Sequence, residues 1–486
     1  MRVCVLAFNS VLRDARILKE ANMLADSGHQ ISIVGLADKN FSGVYDLPSG
    51  VRVTLVESAR PRVTTKTVLK VGLVALALLV AYGVYVLGEQ VHAPWLLYVF
   101  LGLIALGINP IKKTGRATVA SIQKAMKVSE EYILHSDSLR DNRLIGWARA
   151  LRTRLAHKRK CRSLKDEALK TEADIVHCHD VFPLTLAGEP KGLTGAALVW
   201  DAHEIYEELA QAGHAQKRDN RNRISKAQST VDGFVTINES IATFYRENYP
   251  GLPSATIVKN AAIKAEPVDY DGQLHDAAGL LREQKIVLYQ GGFADKRGLD
   301  SLVKAAEYLD GQWTLVMMGW GTREPVLRAL ADGVLERTDN RPLPAVCFLD
   351  GVPQEELVTW TAGAEVGVIP YEPCGLNHIY CTPNKLWEYP NAGVPILCTA
   401  LVELERAVDR NGLGWVLPEG PTPEDIAALI NDLTPPQLEM ARNACRRFIE
   451  GDNWSVYGDR LLELYRMLGV TDVTVDSANS IEAGFH

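Results

Sequence analysis

The sequence predicts an α/β fold of two doubly wound parallel sheets, and three observations support this prediction. Short apolar strand patterns alternate with helical patterns along most of the chain, which is typical of βαβ units in a parallel sheet. At 486 residues the chain is too long for one hydrophobic core. A polar linker over 266–284, broken by Pro267 and Gly272, separates two series of elements. We therefore expect one domain over 1–265 and a second over 285–450.

The composition is that of an ordinary globular protein, with 47% hydrophobic and 23% charged residues, so global disorder is excluded. The net charge of −7 disfavours a nucleic-acid partner. Eight cysteines are scattered from Cys4 to Cys445 without disulfide or metal-ligand spacing, and we predict no metal site. The first residues lead directly into a strand and lack the apolar core of a signal peptide, which favours the reducing cytoplasm.

The first series opens as a βαβ unit, with a strand over 3–7 and a helix over 12–25. Ligands of doubly wound sheets bind at the carboxyl ends of the strands, so the loop over 8–13 is a candidate site loop. No G-x-G-x-x-G pattern follows the first strand, which counts against a dinucleotide cofactor. Further strands of this series are expected over 31–36, 51–56, 174–179, 197–200 and 234–237.

An insert over 60–170 interrupts this series. Residues 71–88 carry no charge and would form a helix of about 27 Å, close to the thickness of a bilayer core. A second uncharged stretch over 95–108 would span about 21 Å. Lys and Arg lie before and after the pair, which is the positive-inside pattern of a hairpin. We predict a membrane-inserted hairpin at about 68–110; the alternative is a buried helical hairpin in a soluble domain.

A basic amphipathic segment follows the predicted hairpin over 140–165. It holds ten Lys or Arg and a single acidic residue, Asp141, with leucines at helical spacing. Such a helix beside membrane segments is expected to lie on anionic lipid. A solvated helix face and a nucleic-acid arm are the alternatives.

The second series repeats the alternation of strands and helices. Strands are expected over 285–290, 313–318, 346–349 and 366–369, and helices over 299–309 and 355–362. A terminal helix is predicted within 451–469, and the polar tail over 470–486 is expected to be disordered.

The most informative stretch of the second series is Cys381–Pro395, which we predict to be a helix. Thr382 is expected to be its N-cap, with Pro383 at the first helical position. Lys385 then lies in the first turn, where a cation is unfavourable unless an anion shares the site. Glu388 would lie on the same side, where its carboxylate can accept hydrogen bonds from sugar hydroxyls. The alternative is an ordinary capped surface helix whose lysine extends into water.

Six segments of the chain resemble one known family in their order and spacing. In the first domain they are DARILKEANMLADSGHQISIVG (14–35), ADIVHCHD (173–180), VWDAHEIYEE (199–208) and VTINES (235–240). In the second domain they are YQGGFADKRGLDSLVKAAEYL (289–309) and PNKLWEYPNAGVPIL (383–397). Together they are similar to the retaining glycosyltransferases of family GT4. That family has the GT-B fold, in which two Rossmann-type domains face a cleft.

The resemblance implies sugar transfer from a nucleotide-diphosphate donor with retained anomeric configuration, no cofactor and no obligatory metal. It implies catalytic roles for His179 on the acceptor side and for Arg297 at the diphosphate, where Lys385 would replace a lost cation. The donor-binding positions implied by the matching motifs are Gly291, Gly292, Lys296, Thr382, Pro383, Asn384 and Glu388.

The chain departs from the family pattern at two positions. Glu388 corresponds to the second glutamate of the family's E-x7-E motif, which holds the donor ribose, but the first glutamate falls at Tyr380. An arginine that usually contacts the diphosphate falls near Gly292. Backbone amides around 380–384 are expected to replace the missing carboxylate.

These observations lead to a membrane-associated retaining glycosyltransferase on the cytoplasmic face of the membrane. Its expected partners are a nucleotide sugar, anionic membrane lipids and a lipid-borne acceptor, either a polyprenyl-phosphate-linked saccharide or a glycolipid. One alternative is a nucleotide-sugar 2-epimerase, which shares the two-domain architecture. The other is a degenerate transferase acting as a membrane scaffold, which Tyr380 and Gly292 keep open.

Overall fold

The computed structural model describes residues 1–57, 156, 159–187, 195–209 and 212–470. The predicted hairpin at 68–110, most of the basic segment over 140–165 and the tail after Val470 lie outside the described residues. Within the described part, no helix combines the length and the apolar character needed to cross a bilayer. The hairpin therefore stays a prediction.

The first sheet has eight strands in the order β3-β4-β2-β1-β5-β6-β7-β8. All of its pairings are parallel except that between β3 and β4. The six predicted strands are present, and short strands β3 and β8 at the two edges were not predicted. The strands are β1 (Arg2–Leu6), β2 (Gln30–Leu36), β3 (Gly43–Asp46), β4 (Arg52–Val56), β5 (Ile175–His179), β6 (Ala197–Ala202), β7 (Gly233–Thr236) and β8 (Ala255–Ile257).

The helices of this sheet are α1 (Ala15–Asp26), α2 (159–169), α3 (Val181–Ala187), α4 (His214–Ala227) and α5 (Glu239–Asn248). The start of α1 was predicted at Leu12, but the helix begins at Ala15. The Asp14 side chain caps it by accepting from the backbone N–H of Ile17 at 3.2 Å. This start fixes which residues face the sheet, and two charged ones, Arg16 and Glu20, are buried there.

The second sheet has six parallel strands in the order β11-β10-β9-β12-β13-β14. Its strands are β9 (Lys285–Gly292), β10 (Trp313–Trp320), β11 (Val346–Leu349), β12 (Val366–Ile369), β13 (Ile396–Thr399) and β14 (Gly414–Leu417). The chain leaves β9 toward β10 on one side and returns to β12 on the other. The carboxyl ends of β9 and β12 are thus a topological switch point, where doubly wound sheets bind ligands.

The predicted linker over 266–284 contains a short helix. Gly272 and Gly279 flank it with φ of 97° and 66°, a conformation that glycine adopts without strain. The helices of this half are α6 (Gln273–Ala278), α7 (Leu299–Ala305), α8 (Glu324–Arg337), α9 (Leu357–Thr361), α10 (Leu376–Ile379), α11 (Lys385–Asn391), α12 (Val402–Asn411), α13 (Pro423–Asn431), α14 (Pro435–Gly451) and α15 (Trp454–Val470).

Helix α15 returns to the first sheet. The Tyr465 hydroxyl lies 2.9 Å from Nδ1 of His177 in β5, and the backbone N–H of Trp454 donates to the carbonyl of Ala262 at 2.8 Å. Both sheets belong to one compact unit of the structure. The terminal helix therefore packs on the domain that begins the chain.

Candidate functional site

A cavity of about 370 Å³ lies at the switch point of the second sheet. The end of β9 lines it with Gln290, Gly291 and Gly292, and the end of β10 lines it with Trp320. The rest of the lining includes Arg297, Tyr371 and the residues around the start of α11, which bring the charged side chains to the cavity. Seven of the ten predicted site residues meet here: Gly291, Gly292, Arg297, Pro383, Asn384, Lys385 and Glu388.

The helix predicted over 381–395 is shorter than expected. It runs only from Lys385 to Asn391 and has no side-chain cap, so the prediction of Thr382 as N-cap and Pro383 as first helical residue was wrong. The side chain of Thr382 is instead buried against Asn238, whose Nδ2 lies 3.4 Å from its hydroxyl oxygen. A seven-residue helix has little dipole to offer, so side-chain cations dominate the positive potential here.

Lys385 is the first residue of α11 and points into the second sheet. Only 7% of it is exposed. Its Nζ lies 5.1 Å from the ring centroid of Tyr289 and 3.5 Å from the hydroxyl oxygen of Tyr371. Burial, assisted by the charge of Arg297, lowers the pKa of Lys385 to about 8. Among the described residues, no carboxylate lies within ion-pair distance of this ammonium group.

Arg297 reaches the same cavity from the turn after β9. Its Cζ lies 4.4 Å from the ring centroid of Tyr371, a cation–π contact. The turn depends on Gly298, which has φ of 67° and leaves no room for a side chain, since a Cβ there would lie 1.8 Å from the carbonyl oxygen of Pro370. Arg297 is thereby held beside Lys385.

The neighbouring Lys296 does not line the cavity. It is more than half exposed and pairs with Glu372 at 3.2 Å. The structure therefore separates the two adjacent cations of the predicted site, and only Arg297 faces the cavity.

The glycines at the end of β9 leave space for the ammonium group. Gly291 has φ of 108°, and a Cβ there would lie 3.0 Å from Nζ of Lys385. A side chain at this position would strain the backbone and displace the lysine. This is a physical reason for glycine at position 291.

Glu388 is held by a chain of hydrogen bonds. The Nε2 of Gln290 donates to its carboxylate at 3.0 Å, and Oε1 of Gln290 accepts from the Thr361 hydroxyl at 2.7 Å. The carboxylate thus has a defined orientation while it lines the cavity. Gln290 was not predicted as a site residue because its partner is 98 residues away in sequence.

Trp320 is a cavity residue that sequence reasoning missed. It is 64% exposed although it is a large aromatic residue. Its indole lies against the backbone of Gly351, where a Cβ would come within 2.3 Å of the ring. A flat aromatic surface lining the cavity suits a base or sugar ring. The available signal was an exposed tryptophan at the end of an otherwise buried strand.

His179 lies elsewhere, in a buried group at the carboxyl ends of β5 and β6. The group consists of Glu20, His177, His179 and Asp201, all almost completely inaccessible to solvent. Nδ1 of His179 is 3.3 Å from Asp201, and its Nε2 is 3.6 Å from Glu20. The ring of His179 is 1% exposed and does not line the cavity, and its contact with the donor sugar stays a prediction.

The four side chains of this group could reach one metal ion, since a ligand atom of each lies within 4.8 Å of the others. Arg16 already supplies positive charge there. Its Nε is 2.7 Å from Asp201 and 3.2 Å from Glu20. We therefore interpret the group as a buried ion-pair network rather than as a metal site.

The pKa values of the network agree with this interpretation. Burial opposes ionisation of Asp201, but Arg16 and His179 hold its pKa well below the usual range. Burial also lowers the pKa of His179, yet the hydrogen bond to Asp201 and the charge of Glu20 raise it above the ordinary value. Burial raises the pKa of Glu20 to about 7 against the effect of Arg16. The charges of this network are used to stabilise one another.

Comparison with known proteins finds a family match over the part of the chain that forms the second sheet. Residues 284–434 match the family model described as "Glycosyl transferases group 1". Among characterised proteins, the amylovoran biosynthesis glycosyltransferase AmsK of Erwinia amylovora is 25% identical over 179 residues. That match covers 36% of this chain and 41% of AmsK, so it spans about two fifths of that relative. The predicted resemblance to group 1 glycosyltransferases is confirmed.

Solved structures share the architecture over nearly the whole chain. Sucrose-phosphate synthase from Thermosynechococcus elongatus aligns with a TM-score of 0.65 and 13% identity over 97% of this chain and 100% of that one. Anabaena HepE in complex with UDP and glucose aligns with a TM-score of 0.61 and 12% identity. That alignment covers 96% of this chain and 100% of the HepE chain. WaaG, a glycosyltransferase involved in lipopolysaccharide biosynthesis, aligns with a TM-score of 0.54 and 12% identity. That alignment covers 94% of this chain and 98% of the WaaG chain. These similarities confirm the predicted GT-B-like fold.

Proposed function

We propose that this chain is a retaining glycosyltransferase that moves a sugar from a nucleotide-diphosphate sugar to a lipid-borne acceptor. One observation carries the proposal: Lys385 and Arg297 converge on the switch-point cavity, and the buried ammonium group of Lys385 has no carboxylate partner among the described residues. A buried cation is costly unless an anion joins it. The match to group 1 glycosyltransferases and the UDP held by the HepE structure support a nucleoside diphosphate as that anion.

The proposed reaction uses these cations at the leaving group. The bond between the anomeric carbon and the diphosphate breaks while a bond to the acceptor oxygen forms. Negative charge then grows on the diphosphate, and Lys385 and Arg297 stabilise it without reorganisation. Gly291 and Gly292 allow the phosphates to approach the backbone, and Glu388 is placed to accept from the ribose hydroxyls.

Retention is proposed to occur on one face of the sugar. A double displacement needs a carboxylate nucleophile at the anomeric carbon. Among the described residues that line the cavity, Glu388 alone carries a carboxylate. This carboxylate already accepts a hydrogen bond from the side chain of Gln290. In the route we favour, the leaving phosphate oxygen takes the proton of the acceptor hydroxyl. His179 then has no direct contact with the sugar and belongs to the network that supports the cleft.

The lipid-borne acceptor rests on the sequence. The predicted hairpin at 68–110 and the basic segment over 140–165 would hold the cleft near the headgroups of a cytoplasmic leaflet. We propose a polyprenyl-phosphate-linked saccharide or a glycolipid as acceptor, since the sugar of such a lipid lies at that height.

A labelled-donor assay tests the reaction. The purified protein is incubated with membrane lipid extract and with each of a panel of labelled nucleotide sugars, and Lys385→Ala serves as the inactive control. We expect label in the lipid phase with the wild type alone. An interconverted nucleotide sugar would indicate an epimerase, and absence of any product across the panel would overturn the proposal.

A deletion tests the membrane part separately. Replacing 71–108 by a short Gly/Ser bridge should release the protein from membranes and abolish transfer to lipid acceptors, while nucleotide-sugar binding stays nearly intact. Transfer to the lipid at the original rate by the deleted protein would contradict the role of the hairpin. Loss of donor binding as well would mean that the hairpin is part of the core.

A further inference from the structure

The segment from Gly375 to Asn384, here called the bridging segment, belongs to the second half of the chain but is held by the first sheet. Its last residues, Pro383 and Asn384, line the cavity and lead into Lys385. Near its start, the side-chain oxygen of Asn377 accepts from the backbone N–H of Ile205 at 2.8 Å. Two further asparagines, both from the first sheet, bond to its backbone.

The first of these is Asn238, which lies two residues after the end of β7. Its Nδ2 donates to the carbonyl of Tyr380 at 2.7 Å. Its Oδ1 accepts from the backbone N–H of Ile241 at 2.9 Å and so caps helix α5. Because the oxygen is used by the helix, the amide group has only one orientation in which both bonds form.

The second is Asn260, in the loop after β8. Its Nδ2 donates to the carbonyl of Thr382 at 3.1 Å, and its Oδ1 accepts from Nη1 of Arg16 at 3.0 Å. Arg16 in turn pairs with Asp201 in the buried network. A continuous chain of polar contacts thus connects that network to the backbone two residues before Asn384.

The bridging segment contains the position at which the chain lacks a glutamate of the E-x7-E motif. The N–H of Tyr380 donates to the carbonyl of Leu376 at 2.9 Å, and the N–H of Cys381 donates to that of His378 at 3.2 Å. The N–H groups of Tyr380 and Cys381 are therefore occupied, and replacement of the missing carboxylate by the remaining backbone amides of 380–384 stays a prediction. The segment is instead fixed through its carbonyl groups.

We infer that Asn238 and Asn260 are positioning residues for the donor site. They hold the bridging segment so that Asn384 and Lys385 face the cavity, and the geometry of the donor site consequently depends on the packing of the two sheets. This inference rests on the proposed transferase function.

The test uses Asn238→Asp and Asn260→Asp in the full-length protein. Each change keeps the oxygen that caps α5 or accepts from Arg16, but places an oxygen against a backbone carbonyl. Losing such a bond and leaving the carbonyl unsatisfied lowers the donor kcat/KM by about 10- to 100-fold. Binding of UDP, GDP and ADP by calorimetry should weaken by a similar factor for whichever one the wild type binds, with a small change in melting temperature.

Asn391→Asp is the matched control. Asn391 also bridges to the loop after β8, donating to the carbonyl of Ile263 at 2.9 Å, but it does not contact the bridging segment. Its variant should keep donor kinetics near those of the wild type. Equal losses in all three variants would indicate general loosening of the interface and would overturn the inference.

The double variant separates positioning from unrelated damage. Because both asparagines hold one segment, the combined loss should be smaller than the product of the two single losses. Fully multiplicative losses, or unchanged donor kinetics in folded single variants, would contradict the inference. Should either Asp variant fail to fold, Asn238→Ser and Asn260→Ser give the same comparison. A wild type that turns over no nucleotide sugar would refute the transferase proposal itself.

Discussion

The buried charges at the carboxyl ends of the two sheets differ in whether they have an oppositely charged partner. At the ends of β5 and β6, Asp201 is buried and has positive partners within 3.3 Å. At the ends of β9 and β12, Lys385 is equally buried but has no carboxylate partner among the described residues. We expect the paired charges of the first sheet to contribute to the stability of the fold, whereas a buried charge without a carboxylate partner is a candidate binding site for an anion.

The pKa directions express the same contrast. In the first sheet, Arg16 and His179 keep Asp201 ionised against the effect of burial and hold its pKa far below the usual range. In the second sheet, burial and the charge of Arg297 lower the pKa of Lys385 to about 8, so both act against its charged form. The two ends should therefore respond to mutation in different observables, the first in stability and the second in activity.

The strongest test of this contrast is Asp201→Asn. Removing one partner from a buried ion pair leaves Arg16 uncompensated, and we expect the free energy of unfolding to fall by about 3–5 kcal/mol. Denaturant unfolding measures this change. Asp174→Asn is the control, since Asp174 pairs with Arg2 at 3.1 Å on the surface and should cost less than about 1 kcal/mol. Similar costs for both variants would show that the network is not a stabilising element.

The opposite pattern is expected for Lys385→Met. Losing one preorganised contact to the leaving diphosphate should lower turnover by about two to three powers of ten. The melting temperature should stay constant or rise, because an unpaired buried charge is removed. The control is Lys285→Met at the other end of β9, where the ammonium group lies 5.0 Å from the Trp313 ring centroid. A variant at 385 with normal turnover would remove the basis of the proposed function.

The sequence predicted six strands of the first sheet, four of the second and most of the cavity because those signals are local. It did not predict β3, β8, β13 and β14. Buried parallel strands appear as short apolar runs. Lys385 and Glu388 lie three residues apart, so one helical turn places them together whatever the surrounding fold. Arg297 was implied by the resemblance to the GT4 family, whose motif places a cation before the glycine that follows this strand.

The sequence did not predict the features that depend on distant residues. The family resemblance implied a catalytic role for His179. No residue near it in the sequence reveals that Glu20 and Asp201 enclose its side chain. Thr382 was predicted to be an N-cap. Its hydroxyl oxygen instead accepts a hydrogen bond from the side-chain amide of Asn238, 144 residues away, and the helix starts later. Each error has one cause: tertiary contacts override local preference at the interface of the two sheets.

Trp320→Ala tests whether an exposed cavity residue affects ligand binding without affecting stability. Stacking of a base on an aromatic ring is worth about 1–3 kcal/mol, so nucleoside diphosphate affinity should fall by about 10- to 100-fold. Stability should not change, since the side chain is 64% exposed. Calorimetry and thermal melting measure both effects, and Trp320→Phe should keep most of the affinity. Unaltered affinity of the alanine variant would mean that the base binds elsewhere.

The lowered pKa of Lys385 predicts a pH dependence of binding. The group is charged below about 8 and loses its proton above this pH, so its attraction for a diphosphate is complete at neutral pH and declines in alkali. We expect affinity to fall by about fivefold between pH 8 and pH 9, because the charged fraction falls from about one half to about one tenth. The stability of the unliganded protein should show the opposite slope, since an unfolded lysine titrates near 10.4. Lys385→Met should remove both trends, and their persistence would point to another group.

The smallest expected effect concerns Glu388→Gln. The carboxylate already accepts from Gln290 at 3.0 Å, and the amide oxygen of a glutamine can accept the same bond, so the fold should not change. A neutral acceptor binds a ribose hydroxyl less strongly than a charged one, by about 1 kcal/mol, or about fivefold in affinity for the nucleoside diphosphate.

A ribose analogue separates this contact from a change in the surrounding charge. If Glu388 accepts from the 2′-hydroxyl, the wild type should lose affinity for the 2′-deoxy nucleotide, and the Glu388→Gln variant should lose much less, because the two changes remove one interaction. A Glu388→Gln variant that discriminates as strongly as the wild type would place Glu388 away from that hydroxyl. Its carboxylate would then belong, like Asp201, to the charges that hold the structure together.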